Sequence, residues 1–95
     1  MSGFPLKIVT PEGIRFDGTA RMLLVRTVAG DMAVLSGHAD VVASLGTGQA
    51  VVSEGEHRRK ATCSGGMLSV IDGEAVVAAK AFRWHEREKG PKSGA

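Results

Sequence analysis

Cysteine is almost missing from this chain: Cys63 is the single one in 95 residues. An internal disulfide is therefore excluded, so packing must hold the fold, and the chain suits a reducing compartment. No apolar run approaches the roughly 18 residues that cross a bilayer. The amino terminus Met1-Ser2-Gly3-Phe4-Pro5 also lacks the charged-then-apolar plan of a secretory signal. The expectation is a soluble protein that stays in the cytoplasm and inserts into no membrane. Before residue 82 no window free of glycine keeps apolar positions three and four apart, which excludes helices of ten or more residues. The basic run His57-Arg58-Arg59-Lys60 has no Phe, Tyr or Trp interleaved to stack on bases, and Glu54 and Glu56 precede it. It reads as a solvated hairpin arm rather than a nucleic-acid site.

What is present points to one globular domain, with 43% hydrophobic and 23% charged residues. Residues 1–81 hold eight basic and eight acidic side chains, so the net charge of +2 comes from the end of the chain. There Arg83, Arg87, Lys89 and Lys92 face only Glu86 and Glu88. The basic pI thus describes a tail and not a binding face. The expected division is a β domain over 1–81 and a short, charged, partly disordered tail over 82–95, with a helical turn or two at its start.

Thirteen glycines punctuate short β-branched runs such as Lys7–Thr10, Met22–Val25 and Gln49–Ser53. That spacing predicts an all-β sandwich or barrel. Two hairpins are the clearest: Gln49–Ser53 with His57–Cys63 across Glu54-Gly55-Glu56, and Met67–Ile71 with Ala75–Ala81 across Asp72-Gly73. In the strand over 20–27, Leu23 and Val25 share one face and Met22 and Leu24 the other. A sandwich normally turns a polar face outward, so this strand is either covered or partnered on its outer side, unless these are singly exposed apolar residues.

Catalytic and cofactor chemistry is not apparent. Cys63-Ser64-Gly65-Gly66 lacks the strand–elbow–helix setting of a hydrolase nucleophile, and Cys63 reads as a small buried strand residue. His38, His57 and His85 are not spaced as metal ligands. Gly46-Thr47-Gly48-Gln49-Ala50-Val51 has Val51 where a dinucleotide fingerprint needs its third glycine, and it enters a strand, so it reads as a turn. The hairpin tips carry no lysine for a carrier-type modification. No catalytic residue, no metal site and no cofactor are expected.

Lys7-Ile8-Val9-Thr10-Pro11-Glu12-Gly13, Phe16-Asp17-Gly18, Gly30–Asp40, Gly46-Thr47-Gly48, Ser64–Val70 and Gly73–Ala79 follow one another in an order that closely resembles the amino-terminal domain of the epsilon subunit of F-type ATP synthases. The blocks cover residues 6–81. The resemblance implies a flattened, two-layer antiparallel β-sandwich with Leu23, Val25, Met32, Val34, Leu68 and Val70 in its core. It also implies a non-catalytic rotor subunit on the cytoplasmic face of the inner membrane, with the gamma subunit and the c-ring as partners. On this reading Val28–Asp31 and Ser36–Val42 face the c-ring, with Asp31, Ser36, His38 and Asp40 as contacts, and Met22, Leu24 and Val42 face gamma. His38 could equally serve to hold its own loop. Ser36 and Asp40 stand where the family usually has prolines on either side of the histidine, which predicts a less rigid loop. The family usually continues into a helical hairpin that inhibits ATP hydrolysis, and this sequence stops where that hairpin should begin. The expectation is a subunit that couples without inhibiting, with Phe82 and Trp84 folded back beside Met22 and Leu24. From another class, the alternative is a free-standing sandwich adaptor whose basic tail binds an acidic partner or nucleic acid.

Overall fold

A run of β-branched residues between turn-forming pairs has little choice but to hydrogen-bond to its neighbours. In the computed structural model, which describes residues 3–85, eight strands do so: β1 (Phe4–Thr10), β2 (Gly13–Ala20), β3 (Met22–Thr27), β4 (Gly30–Leu35), β5 (Val41–Ser44), β6 (Thr47–Glu54), β7 (His57–Ile71) and β8 (Glu74–Trp84). Both hairpins expected from the turn chemistry are present. Ile71 pairs with Glu74 across Asp72-Gly73, where φ is +51° and +80°. Asparagine, aspartate and glycine accept this left-handed backbone most readily. At the other tip Glu54 pairs with His57 around Gly55, whose φ is +85°.

The spine of the molecule is a three-stranded ribbon. β5 and β6 pair successively along β7 in one unbroken register, and β7 pairs along β8. The β1–β2 hairpin joins one half of the ribbon through β8, and the β3–β4 hairpin joins the other half through β6. The ribbon folds over itself, which gives a first layer ordered β2-β1-β8-β7-β5 and a second ordered β8-β7-β6-β3-β4. The all-β sandwich is as expected, with one departure from pure antiparallel pairing: β1 runs parallel to β8 from Leu6–Val9 to Ala75–Ala78.

The fold-over lies at Leu45-Gly46 and Gly65-Gly66, where Leu45 N–H donates to Gly66 O and Gly65 N–H to Gly46 O. Side-chain alternation slips by one here in all three strands. Ala61 and Cys63 face inward before the corner of β7, and Leu68 and Val70 after it. In β8, Ala75, Val77 and Ala79 face inward, then Phe82. Because neighbouring strands slip together, the register survives while each layer keeps an apolar inner side. Gly66 makes the crossing possible: its φ is +103°, and a Cβ there would sit 2.0 Å from Ala78 O.

Leu6, Ile8, Leu23, Val25, Val34, Val52, Leu68, Val70 and Val77 are fully buried between the layers. Each contributes about 1.5–3 kcal/mol by leaving water. Of the expected core residues, Leu23, Val25, Val34, Leu68 and Val70 are buried, and Met32 packs against the core from the rim.

β8 carries the sheet through Trp84, past the Ala81 at which the sequence reading ended it, so residues 82–84 are strand and not a helical turn. The reason is a period of two that the charged composition obscured: Phe82 and Trp84 point inward, Arg83 and His85 outward. Trp84 does not lie beside Met22 and Leu24, which are on the outer side of the second layer. It meets Phe82 edge-on at 4.9 Å and Phe16 of the first layer at 6.3 Å between ring centroids. Its indole Nε1–H donates to Arg15 O at 3.1 Å, and the Arg59 guanidinium stacks 3.8 Å above the ring. Trp84 thus latches the open side of the sandwich. The expectation of a partly disordered tail concerns residues 86–95, which lie outside the described residues.

Candidate functional site

Pairing fixes which side chains share an outer face. On the first layer, Lys7, Val76, Ser69 and Val42 form one row across the strands, and Val9, Ala78, Met67 and Ser44 the next. Exposure is 57% at Val42, 45% at Met67, 48% at Ile71 and 37% at Val76. Lys7 lies opposite Asp17, so the charge on this face is largely matched. A depression of about 180 Å³ lined by Lys7, Asp17, Glu74 and Val76 opens at its side, well under the roughly 300 Å³ at which small-molecule pockets begin.

The second layer has a divided outer face. Leu35, Met22 and Ser53 lead across to Arg58, and Ala33, Leu24 and Val51 lead to Lys60. The apolar half covers β4, β3 and β6, while β7 and β8 hold Arg58, Lys60 and Arg83. Among the described residues no carboxylate pairs with these three cations. His85 is tied to Thr62 through Nε2 and Oγ1 at 2.8 Å.

The expected gamma-facing residues therefore separate. Met22 and Leu24 are half-buried on the second outer face, and Val42 is exposed on the first. One flat partner does not touch both. Met67, Ile71 and Val76, which accompany Val42, were not singled out from the sequence. Alternation within Met67–Ile71 already turns Met67 and Ile71 outward, but that they share a face with Val42 follows only from the pairing of β5 with β7.

The expected c-ring residues also separate, to the two ends of β4. Asp31 is near its start, where its carboxylate accepts from Arg26 Nε at 2.6 Å. That bond and the opposite charge raise the Arg26 pKa above its ordinary value. Beside it the Val28-Ala29 turn is closed by Thr27, whose Oγ1 donates to Gly30 O at 2.7 Å and accepts from Ala29 N at 3.1 Å. Val28 at the tip is 73% exposed.

Ser36, His38 and Asp40 follow the far end of β4. His38 N–H donates to Leu35 O, its Nδ1 lies 2.7 Å from Ala39 O, and Asp40 Oδ1 accepts from Asp72 N–H at 2.9 Å. The loop expected to be slack without its prolines is thus held another way: Asp40, at one of the substituted positions, ties it to the β7–β8 turn. The contacts of His38 lie within its own loop.

Cys63 is buried, and burial pushes its thiol pKa up, opposite to a reactive nucleophile. Among the described residues no three His, Cys, Asp or Glu side chains converge as a metal site. No helix among them is long and apolar enough to cross a membrane.

A folded-over ribbon with a glycine corner, a hairpin added to each half and apolar residues on both outer faces defines a small β-sandwich domain of distinctive build. The chain belongs to the ATP synthase delta/epsilon chain family, whose β-sandwich domain matches residues 3–85. It is similar to the ATP synthase epsilon chain of Caldicellulosiruptor saccharolyticus, 31% identical over 90% of this chain and 63% of that one. It also resembles the epsilon chain of Alkaliphilus metalliredigens, 35% identical over 90% and 63%. The chain thus spans less than two thirds of the length of these relatives. Its fold is that of a chain in the Euglena gracilis mitochondrial ATP synthase OSCP/F1/c-ring structure, with a TM-score of 0.82 at 23% identity, covering 88% of this chain and 54% of that one. A chain in the Tetrahymena thermophila mitochondrial ATP synthase central stalk and c-ring gives 0.69 at 15% identity, covering 82% and 63%. The family match does not favour a free-standing adaptor.

Proposed function

We propose that the chain is a non-catalytic rotor subunit of an F-type ATP synthase. It joins the gamma subunit to the c-ring at the cytoplasmic face of the inner membrane, so that torque passes between the ring and the catalytic head. The observation that carries this reading is the outer face of the first layer. A free antiparallel sandwich turns polar residues outward, whereas here Val42, Met67, Ile71 and Val76 stand exposed together, as on a surface meant to be covered. On this reading gamma covers the face around Val42. Met22 and Leu24, on the other outer face, would then need separate cover.

The c-ring contact is assigned to the Val28-Ala29 turn and Asp31, where an exposed apolar tip stands beside a charge pair. Ser36, His38 and Asp40, at the other end of β4, then act by holding their loop in shape. Affinity purification of the chain from gently solubilised membranes tests the reading. Recovery of gamma with the c-ring supports it, and recovery of nucleic acid or of an unrelated acidic protein in their place would contradict it.

A further inference from the structure

Several cations on this sandwich lie with a carboxylate. Lys7 is opposite Asp17 across β1 and β2, and Arg15, Arg26 and Arg59 bridge to Glu12, Asp31 and Glu54. Arg58, Lys60 and Arg83 differ. All three are exposed on the outer side of the second layer. Arg58 and Lys60 alternate along β7, and Arg83, which pairs with Thr62, is the diagonal neighbour of Lys60. Each stands about 7 Å from the next, and like charges set so close on a sheet are unfavourable to it. Among the described residues no carboxylate offsets them, since Glu54 across the hairpin is engaged by Arg59. Three uncompensated cations on neighbouring strands mark a surface complementary to a negatively charged partner.

We propose that this face seats an acidic amphipathic helix of another subunit, gripped by Arg58, Lys60 and Arg83. Met22 and Leu24 of β3 run alongside Arg58 and Lys60 of β7, with Ser53 and Val51 of β6 as the floor between them. The apolar and cationic rows are thus two strand spacings apart, about 10 Å, which is about the width of one helix. A helix lying over β6 sets apolar side chains on Met22 and Leu24. Its carboxylates, about 6 Å apart at every fourth position, meet the cations. An extended segment on the same face would leave its own backbone groups unpaired. Nucleic acid fits poorly, because Trp84, the aromatic ring nearby, is turned inward beneath Arg59 and is not free to stack on a base. A lipid surface fits poorly too. The Val28 turn, assigned to the c-ring, is bonded to the corner through Ser44 and Gly46. From Gly65 in that corner, Arg58 is roughly 23 Å along β7 at about 3.3 Å per residue, beyond two Debye lengths of about 8 Å. The inference rests on the chain being a subunit of the assembly, and it supplies the separate cover that Met22 and Leu24 require.

The test is made in the intact, purified ATP synthase, with a photoreactive benzophenone side chain at Ser53, between the two rows, so that all three cations remain. Crosslinking to a helix of another subunit that carries two or more Asp or Glu side chains one turn apart supports the site. Arg58→Glu with Lys60→Glu, both exposed, should leave thermal melting unchanged and lower that crosslink at least ten-fold. Changing the crosslinked carboxylates to lysine should then restore it, which a merely structural role for the cations would not produce. Crosslinking to lipid or nucleic acid, to a segment without carboxylates, or to no other molecule overturns the proposal. A crosslink unchanged by the charge reversals does the same. Each of these results leaves the rotor reading intact when gamma and the c-ring are recovered with the chain, and their absence from the purified material overturns both.

Discussion

The two outer faces of this sandwich are built from the same three folded-over strands, yet their surfaces differ. β7 turns Arg58 and Lys60 outward on the second layer and Met67 and Ile71 outward on the first. The change comes with the one-residue slip at Gly65-Gly66, which keeps the core continuous while each half of the strand displays its own chemistry. One face is apolar across its centre with its charges matched, and the other is half apolar and half cationic. A single chain of modest length thereby carries two chemically different surfaces, which suits the role proposed for it between larger subunits.

The comparison breaks most completely if the corner is removed. Gly66→Ala drives a Cβ into the Ala78 carbonyl at a left-handed backbone position, so a loss of about 4 kcal/mol or more is expected, enough to abolish cooperative urea unfolding. The adjacent Gly65→Ala is the control. Its φ is +65° and its Cβ would meet only the movable Lys80 side chain at 3.1 Å, so a cost of about 1–2 kcal/mol is expected. Equal effects at the two glycines would mean that close backbone approach is not what makes the corner.

A smaller effect follows from releasing the latch between the layers. Trp84→Ala removes the contacts with Phe16 and Phe82, the Arg59 stack and the bond to Arg15 O. The residue is half-buried, so about 2–3 kcal/mol should be lost, near the low end for large aromatic truncations. Trp84 is the chain's single tryptophan, so its emission reports the same event: blue-shifted in the native state, and red-shifting together with loss of circular dichroism. Emission already typical of exposed tryptophan in the native protein would contradict the latch.

Smallest is the change at the connection between the faces, where the β4–β5 loop leaves one layer for the other. Asp40→Ala deletes the acceptor for Asp72 N–H and should cost about 1 kcal/mol. Faster hydrogen exchange confined to the Asp72 amide and residues 36–40 is expected, with the core strands unaffected. An unchanged Asp72 amide would show that the loop is held by other means.

Much of this was legible in the sequence. Asp72-Gly73 and Glu54-Gly55-Glu56 dictate their hairpins through local backbone chemistry, and Leu23, Val25, Leu68 and Val70 lie inward because alternation holds within each half-strand. The slip at the corner was not legible, since only the packing of Gly66 on Ala78 reveals it; Val42 was grouped with Met22 and Leu24 on apolarity alone, and only the strand pairing separates them. The tie from Asp40 to Asp72 joins residues far apart in the chain, so a loop that had lost its prolines read as slack. Phe82 and Trp84 did carry a strand period, but it was set among charges that suggested a tail.

The central claim is that the apolar face of the first layer is where gamma binds. Calorimetric titration of purified gamma subunit with the wild-type chain and with Val76→Lys and Lys60→Glu measures it most directly. The account predicts that Val76→Lys, which places a charge in the middle of that face without touching the core, weakens binding at least ten-fold at an unchanged melting temperature, while Lys60→Glu on the opposite face has the smaller effect. Binding that is indifferent to Val76→Lys and lost with Lys60→Glu would contradict it.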